Sequence, residues 1–144
     1  MAYMTNADIQ TRLGNATYVQ LSDDNGDQVA DTAVIDEARV AAEGELDSYL
    51  AVRHAVPVDL SAHAELAGLL KSAALDLAEY RLRLRRPPVS EDARRRRDQT
   101  MEWLRGIASG VVVLPSLTTP AGRGTMAHAS GAQRVLGREK MNDF

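Results

Sequence analysis

Cysteine is absent from this chain of 144 residues, and aromatic side chains are scarce: one tryptophan, one phenylalanine and four tyrosines. Without cysteine there is no disulfide and no thiolate metal site to build. The three histidines, His54, His63 and His128, stand at spacings that fit no metal motif, so each reads as a surface or helix-end residue. No run approaches the ~18 apolar residues of a membrane span. The first residues show no basic-then-apolar signal pattern. The expectation is a soluble protein, made in a reducing cytoplasm, that needs no cofactor and no metal. The shortage of aromatics says something further. Hydrophobic residues make up 44% of the chain against 4% aromatic, and much of that 44% is alanine. Such a composition favours helices packed closely through small side chains over a sheet.

Catalytic patterns are missing as well. No Gly-x-Ser-x-Gly elbow exists to hold a serine nucleophile. Gly122-Arg123-Gly124-Thr125-Met126-Ala127 has the letters of a dinucleotide-binding turn, but it lies in a Pro- and Gly-rich stretch where no strand leads into a helix. Glu43 and Asp47 share a helix face open to solvent, whereas paired carboxylate catalysis needs a cleft. The acidic run Asp23-Asp24-Asn25-Gly26-Asp27 lacks the ligand spacing and closing glutamate of a calcium loop and reads as a turn. The chain is not expected to be an enzyme.

What the sequence does have is helical periodicity. Thr5 or Asn6 caps a short first helix, with Asp8 near its positive end and Gly14 closing it in a left-handed conformation. Asp31 or Thr32 caps a long helix over 32–54. Its apolar stripe is Val34, Ile35, Ala38, Ala42, Leu46, Tyr49 and Leu50; its outer face carries Glu37, Glu43, Asp47 and Arg53. Pro57 stops it. Ser61 is placed to cap a second long helix over 61–86, with the stripe Leu66, Leu69, Leu70, Ala73, Leu77, Tyr80 and Leu84, ended by Pro87-Pro88. Two long helices joined this briefly pack as an antiparallel pair. A third begins after Ser90, buries Ala93, Thr100, Met101, Leu104, Ile107 and Ala108, and ends at Gly110. Trp103 falls beside that stripe, at the margin of the core or in a subunit contact. The predicted fold is all-α, a helical domain over 1–115. Residues 116–144 follow as an extended arm, rich in Ser, Thr, Gly, Ala and Pro as far as 133, whose end regains apolar and charged residues suited to docking.

Charge is divided unevenly. Residues 1–79 carry a net −10 and residues 80–144 a net +7. Arg81, Arg83, Arg85 and Arg86 end one helix, and Arg94, Arg95, Arg96, Arg97 and Arg105 load the next. Four consecutive arginines point to all sides of a helix, so they cannot all address one phosphate groove. Two uses stay open: ion pairs within or between subunits, and direct contact with nucleic acid.

Several short pieces occur in a familiar order. Tyr3 with Thr5, Leu13-Gly14 and Gln20-Leu21-Ser22-Asp23 precede an Ala-x-x-Glu-x-x-Leu-Asp-Ser-Tyr-Leu-x-x-Arg segment that ends in Val56-Pro57. Asp76-Leu77-Ala78, Tyr80-Arg81-Leu82, Trp103-Leu104, Ile107-Ala108, Gly110 and Leu114-Pro115 follow, with Arg134-Val135-Leu136, Arg138-Glu139 and Met141 near the end. In this the chain resembles the Mu-like phage Gp-thirty-six family over nearly its whole length. It departs from that pattern at His54, where an aromatic is more usual, and at Leu136, where a phenylalanine is. The resemblance implies a head–tail adaptor or head-completion protein of a tailed phage: a homo-oligomeric ring of roughly twelve subunits at the virion neck, between the portal protein and the tail. The alternatives are a tail terminator and a helical DNA-binding accessory protein. On the adaptor reading, the residues expected at subunit or portal contacts are Arg94, Arg95, Arg96, Arg97, Trp103, Arg134, Val135, Leu136, Arg138, Met141 and Phe144. Glu43, Asp47 and Arg53 are further candidates, and the acids of 1–79 are expected to face a neighbour's arginine-rich helix ends. Genomic DNA passing through the ring would meet it non-specifically.

Overall fold

Each helix start has its own local cause. In the computed structural model, which describes residues 2–115 and Leu117, Thr5 and Asp8 form a reciprocal capping box at the head of α1 (Asn6–Leu13). The Thr5 N–H and hydroxyl both bind the Asp8 carboxylate, which holds its pKa below the usual range. Asp31 accepts from the Ala33 N–H to start α3 (Thr32–Leu50), and Ser90 does the same for Ala93 to start α5 (Glu91–Ser109). The fold is all-helical, with no strand among the described residues.

Four features differ from the sequence reading. Residues 15–22 form a helix of their own, α2 (Asn15–Ser22), entered directly from Gly14. Gly14 has φ +80° but ψ 150°, so it makes a sharp corner between α1 and α2 and not a left-handed helix end. The long helix stops at Leu50, and 51–54 is a turn in which the Arg53 and His54 N–H groups both donate to the Leu50 carbonyl. The second long helix, α4 (Ala64–Leu84), begins after His63, not at Ser61. The Ser61 N–H and hydroxyl bind Asp59 in the preceding turn, so Ser61 is not free to cap.

α4 runs antiparallel to both α3 and α5, and the three share one core. Ile35, Ala38, Ala42, Leu46 and Leu50 of α3 face Leu66, Leu70, Ala73, Ala74, Leu77, Ala78 and Leu82 of α4; Met101, Leu104 and Ile107 close it from α5. The buried stripe of α4 is turned from the expected one. Leu82 is inside, Tyr80 is half-buried, and Leu69 and Leu84 are 44% and 49% exposed. Alanine at 38, 42, 73, 74 and 78 brings the helices close, as the composition suggested. Trp103 sits half-buried at the core margin, packed against it from outside.

Tyr3 fastens the N-terminal segment to this body. Its hydroxyl donates to Asp47 and accepts from the Val58 N–H, and its own N–H reaches Glu43 Oε1 at 2.8 Å. Burial, reinforced by the Asp47 hydrogen bond, pushes the phenol pKa well up. Glu43 and Asp47 are therefore occupied within the chain.

Arg53 closes the other end. Its Nε donates to Ala108 O and its Nη2 to Ser109 O, both at 3.1 Å, which caps the negative end of α5 with a cation. Gly110 follows in the left-handed conformation, φ +82°. A β-carbon there would stand 2.5 Å from Arg53 Cζ. Gly110→Ala therefore combines a left-handed penalty with loss of the arginine cap, and is expected to cost about 1–2 kcal/mol. Urea unfolding checks this, and an unchanged midpoint would contradict the clamp.

His54 is buried, at 9% exposure, just beyond α3, and its Nδ1 finds no partner among the described residues. Burial, and then the charge of Arg53, lowers its pKa. The unfolded chain takes this proton near pH 6.5, before the folded one does. Stability therefore falls as pH drops below about 6.5 and levels off once the folded pKa is passed. His54→Phe should flatten the dependence of the unfolding midpoint between pH 7 and 5.5. A variant as pH-sensitive as the wild type would refute the assignment.

Candidate assembly surface

The arginine-rich segments were the strongest sequence signal for a partner, and most of their side chains are bonded within the chain. Glu79, on the buried side of α4, is 4% exposed and is the hub. Arg83 Nε donates to its Oε1 at 2.9 Å, Arg96 Nη2 reaches both carboxylate oxygens at 3.0 and 3.1 Å, and Arg12 Nε lies 3.5 Å away. Arg12 also pairs with Asp76, whose other oxygen accepts from the Thr100 hydroxyl at 2.9 Å. One connected cluster thus ties α1, α4 and α5 together. A buried carboxylate is tolerable only when paired in this way.

The helix-end arginines do similar work. Arg85 Nη1 donates to Leu21 O, and Arg86 donates to Gln20 O and Asp23 O. These are the free carbonyls at the end of α2, and two cations from α4 satisfy them. Arg85 is also bidentate on Asp24. This support explains why 15–22 is helical although its local pattern is weak. Arg81 pairs with Glu45 at 2.7 Å. Arg97 lies over the Tyr80 ring, 5.2 Å from its centroid, and touches Asp98. Of the acids expected to face a neighbouring subunit, Asp24, Glu45, Asp76 and Glu79 are held by arginines of their own chain. The Asp23 carboxylate is engaged within its own loop, where it accepts from the N–H groups of Asn25, Gly26 and Gln28.

Of the residues predicted for contacts, α5 presents Arg94 and Arg95 outward, exposed and without an ion-pair partner among the described residues. Arg105 is exposed on the same helix. They alternate with the exposed acids Glu91, Asp98 and Glu102, and a shallow hollow lies among Glu91, Arg94, Arg95, Asp98, Gln99 and Glu102. A phosphate backbone laid there would meet carboxylates as often as guanidinium groups, which disfavours a DNA tract. A mixed-sign face instead suits a protein partner with the reverse order of charges. Arg96 and Arg97 are structural, and Trp103 borders a groove between α4 and α5. Arg134, Val135, Leu136, Arg138, Met141 and Phe144 lie outside the described residues.

Among the described residues no group of three or more His, Asp or Glu is placed to hold a metal ion, and no helix is long and apolar enough to cross a membrane. Sequence reasoning missed Glu79, Asp76, Arg12 and Arg53 as organising residues. One signal was available for the hub: Glu79 stands four residues before Arg83 on a helix, the favourable order for an ion pair.

The fold and this stapled, mixed-charge surface define a small all-helical protein held together by ion pairs between its helices. The chain belongs to the family described as Bacteriophage Mu, Gp36, whose model matches residues 3–132. That membership makes it a phage structural or morphogenesis protein. No curated protein matches it.

Proposed function

We propose that the protein is a head–tail adaptor, a virion neck component that assembles as a ring between the portal and the tail. The observation that carries this reading is the family match over 3–132. The inward commitment of the arginine cluster supports it, because it removes most of the cations that a DNA-binding reading would use. Residues 2–115 act as the rigid body. Residues 116–144 act as the arm that engages the portal or an adjacent subunit. The outward face of α5, with Arg94, Arg95 and Arg105 set among Glu91, Asp98 and Glu102, contributes charge-matched contacts between subunits. Assembly accordingly weakens as salt rises.

The test is complementation in vitro. A phage with a nonsense mutation in this gene should accumulate filled heads and free tails that join when the purified chain is added. Joined, infectious particles made without the chain would overturn the reading. Retardation of random DNA with a steep salt slope would favour the DNA-binding alternative instead.

A further inference from the structure

Unpaired charge is concentrated on α5. On α1 to α4 every charged side chain but Glu37 has a hydrogen-bond or ion-pair partner within the chain. On α5, Glu91, Arg94, Arg95, Glu102 and Arg105 are exposed and form no ion pair among the described residues. Asp98, exposed between them, meets only its neighbour Arg97, at 3.2 Å. At 3.6 residues per turn these six fall within about 60° of one line down the helix. That line lies opposite the buried Ala93, Thr100, Leu104 and Ile107. A whole helix face is therefore charged and unoccupied by its own chain.

The order of signs along this line identifies what fits it. They run minus at 91, plus at 94 and 95, minus at 98 and 102, and plus at 105. Reversed, they run plus, minus, minus, plus, plus, minus. Every sign is opposed, so the face is its own charge complement when a second α5 lies across it antiparallel. With a two-fold axis at the level of Asp98, Glu91 stands opposite the partner's Arg105, each about 10 Å from the axis along the helix. Arg94 stands opposite the partner's Glu102, each about 6 Å from it. Arg95 meets the partner's Asp98 across an offset of about 4.5 Å, within the length of an arginine side chain. The two Asp98 carboxylates approach one another near the axis, where each has its own Arg97 and the partner's Arg95 beside it. A parallel copy in register would set each charge against its own kind. No other helix of the chain offers the complement, because the charges of α1 to α4 are already paired.

We infer that the free chain pairs with a second copy of itself through the outward face of α5, antiparallel about a two-fold axis near Asp98. The contact consists of exposed ion pairs without an apolar centre, so it is weak, readily reversed and sensitive to salt. A two-fold contact closes on itself, whereas a ring with a head side and a tail side joins its copies head to tail. The pair is thus a holding form that opens before a ring closes. Only this last step rests on the adaptor reading; the pairing stands on α5 alone.

Charge reversal in the full-length chain provides the test. Sedimentation equilibrium should show a monomer–dimer equilibrium at about 0.1 M salt that shifts to monomer at about 1 M, where the screening length falls from roughly 10 to 3 Å. Arg94→Glu with Arg95→Glu sets like charges against each other and should weaken the dimer at least about tenfold. Adding Asp98→Arg and Glu102→Arg to that chain inverts four signs together, and the new order is again its own complement. The dimer should then return to within about threefold of the wild type. All four positions are exposed, so each variant should keep the helical circular dichroism of the wild type. A face that met any other surface would lose its partner in the fourfold variant as in the double one, and a fourfold variant that stays monomeric would overturn the inference. A wild-type chain that is monomeric at low salt up to about 1 mM would overturn it too, and so would a dimer indifferent to the double reversal. If that monomeric chain still joined heads to tails, the adaptor reading would stand without the pair. Pairing restored in the fourfold variant, with a wild-type chain that joins nothing, would uphold the pair and count against the adaptor.

Discussion

Glu79→Gln should destabilise the folded body by about 3 kcal/mol and lower the midpoint of thermal unfolding by roughly 10 °C or more. The substitution is nearly isosteric, so it opens no cavity and isolates the charge. Three guanidinium groups, from Arg12, Arg83 and Arg96, converge on this carboxylate, which is 4% exposed. With the charge gone, Asp76 remains as the only anion of the cluster. The estimate stays at the lower end for a broken buried pair because the arginines are 27–39% exposed and water screens them in part. Removing one arginine should cost less. Arg83→Met leaves Glu79 with Arg12 and Arg96, and about 1 kcal/mol is expected. Glu45→Gln breaks a pair whose arginine is 40% exposed and should cost under about 1 kcal/mol. Thermal and urea unfolding of the three variants ranks them. Equal losses from Glu79→Gln and Glu45→Gln would show that the cluster is no hub.

This hub also marks where reading the sequence succeeds and where it stops. Caps at Thr5, Asp31, Ser90 and Gly110 were legible because each is a local hydrogen bond written within three or four residues. The α3 and α5 stripes were legible for the same reason. The α4 stripe was misread by part of a turn because α4 is covered on more than one side, by α3, α5 and the α1–α2 pair, and so buries Ala74, Ala78 and Leu82 together. Leucine at both exposed positions, Leu69 and Leu84, and buried ones, Leu66, Leu70, Leu77 and Leu82, then blurs the pattern. α2 was missed because its support comes from Arg85 and Arg86, more than sixty residues away. The arginine run illustrates the same limit for function. Its letters left open ion pairs within or between subunits and contact with nucleic acid, because its partners Glu79, Leu21 O and Gln20 O are scattered along the chain. Only the packing shows that it holds the fold, leaving the outer side of α5 for partners.

Deleting residues 118–144 should abolish the joining of heads to tails, with a fall in infectious titre of several orders of magnitude, while the body stays folded. The cut is placed after Leu117 because Leu114 is buried and Leu117 packs on the core, so an earlier cut would confuse loss of contact with loss of stability. Every residue of the core cluster lies before it, from Tyr3 to Leu114. The truncated chain should therefore keep its helical circular dichroism and unfold within about 3 °C of the full chain. A further variant gives the result its meaning. Arg94→Glu with Arg95→Glu alters the outward α5 face and should weaken subunit association without touching the arm. Normal titre from the truncated chain would remove the arm from the mechanism, and the α5 face would then have to make the connection unaided. That is physically demanding, because exposed ion pairs each contribute at most about 1 kcal/mol and the face offers no apolar centre around which they could act together.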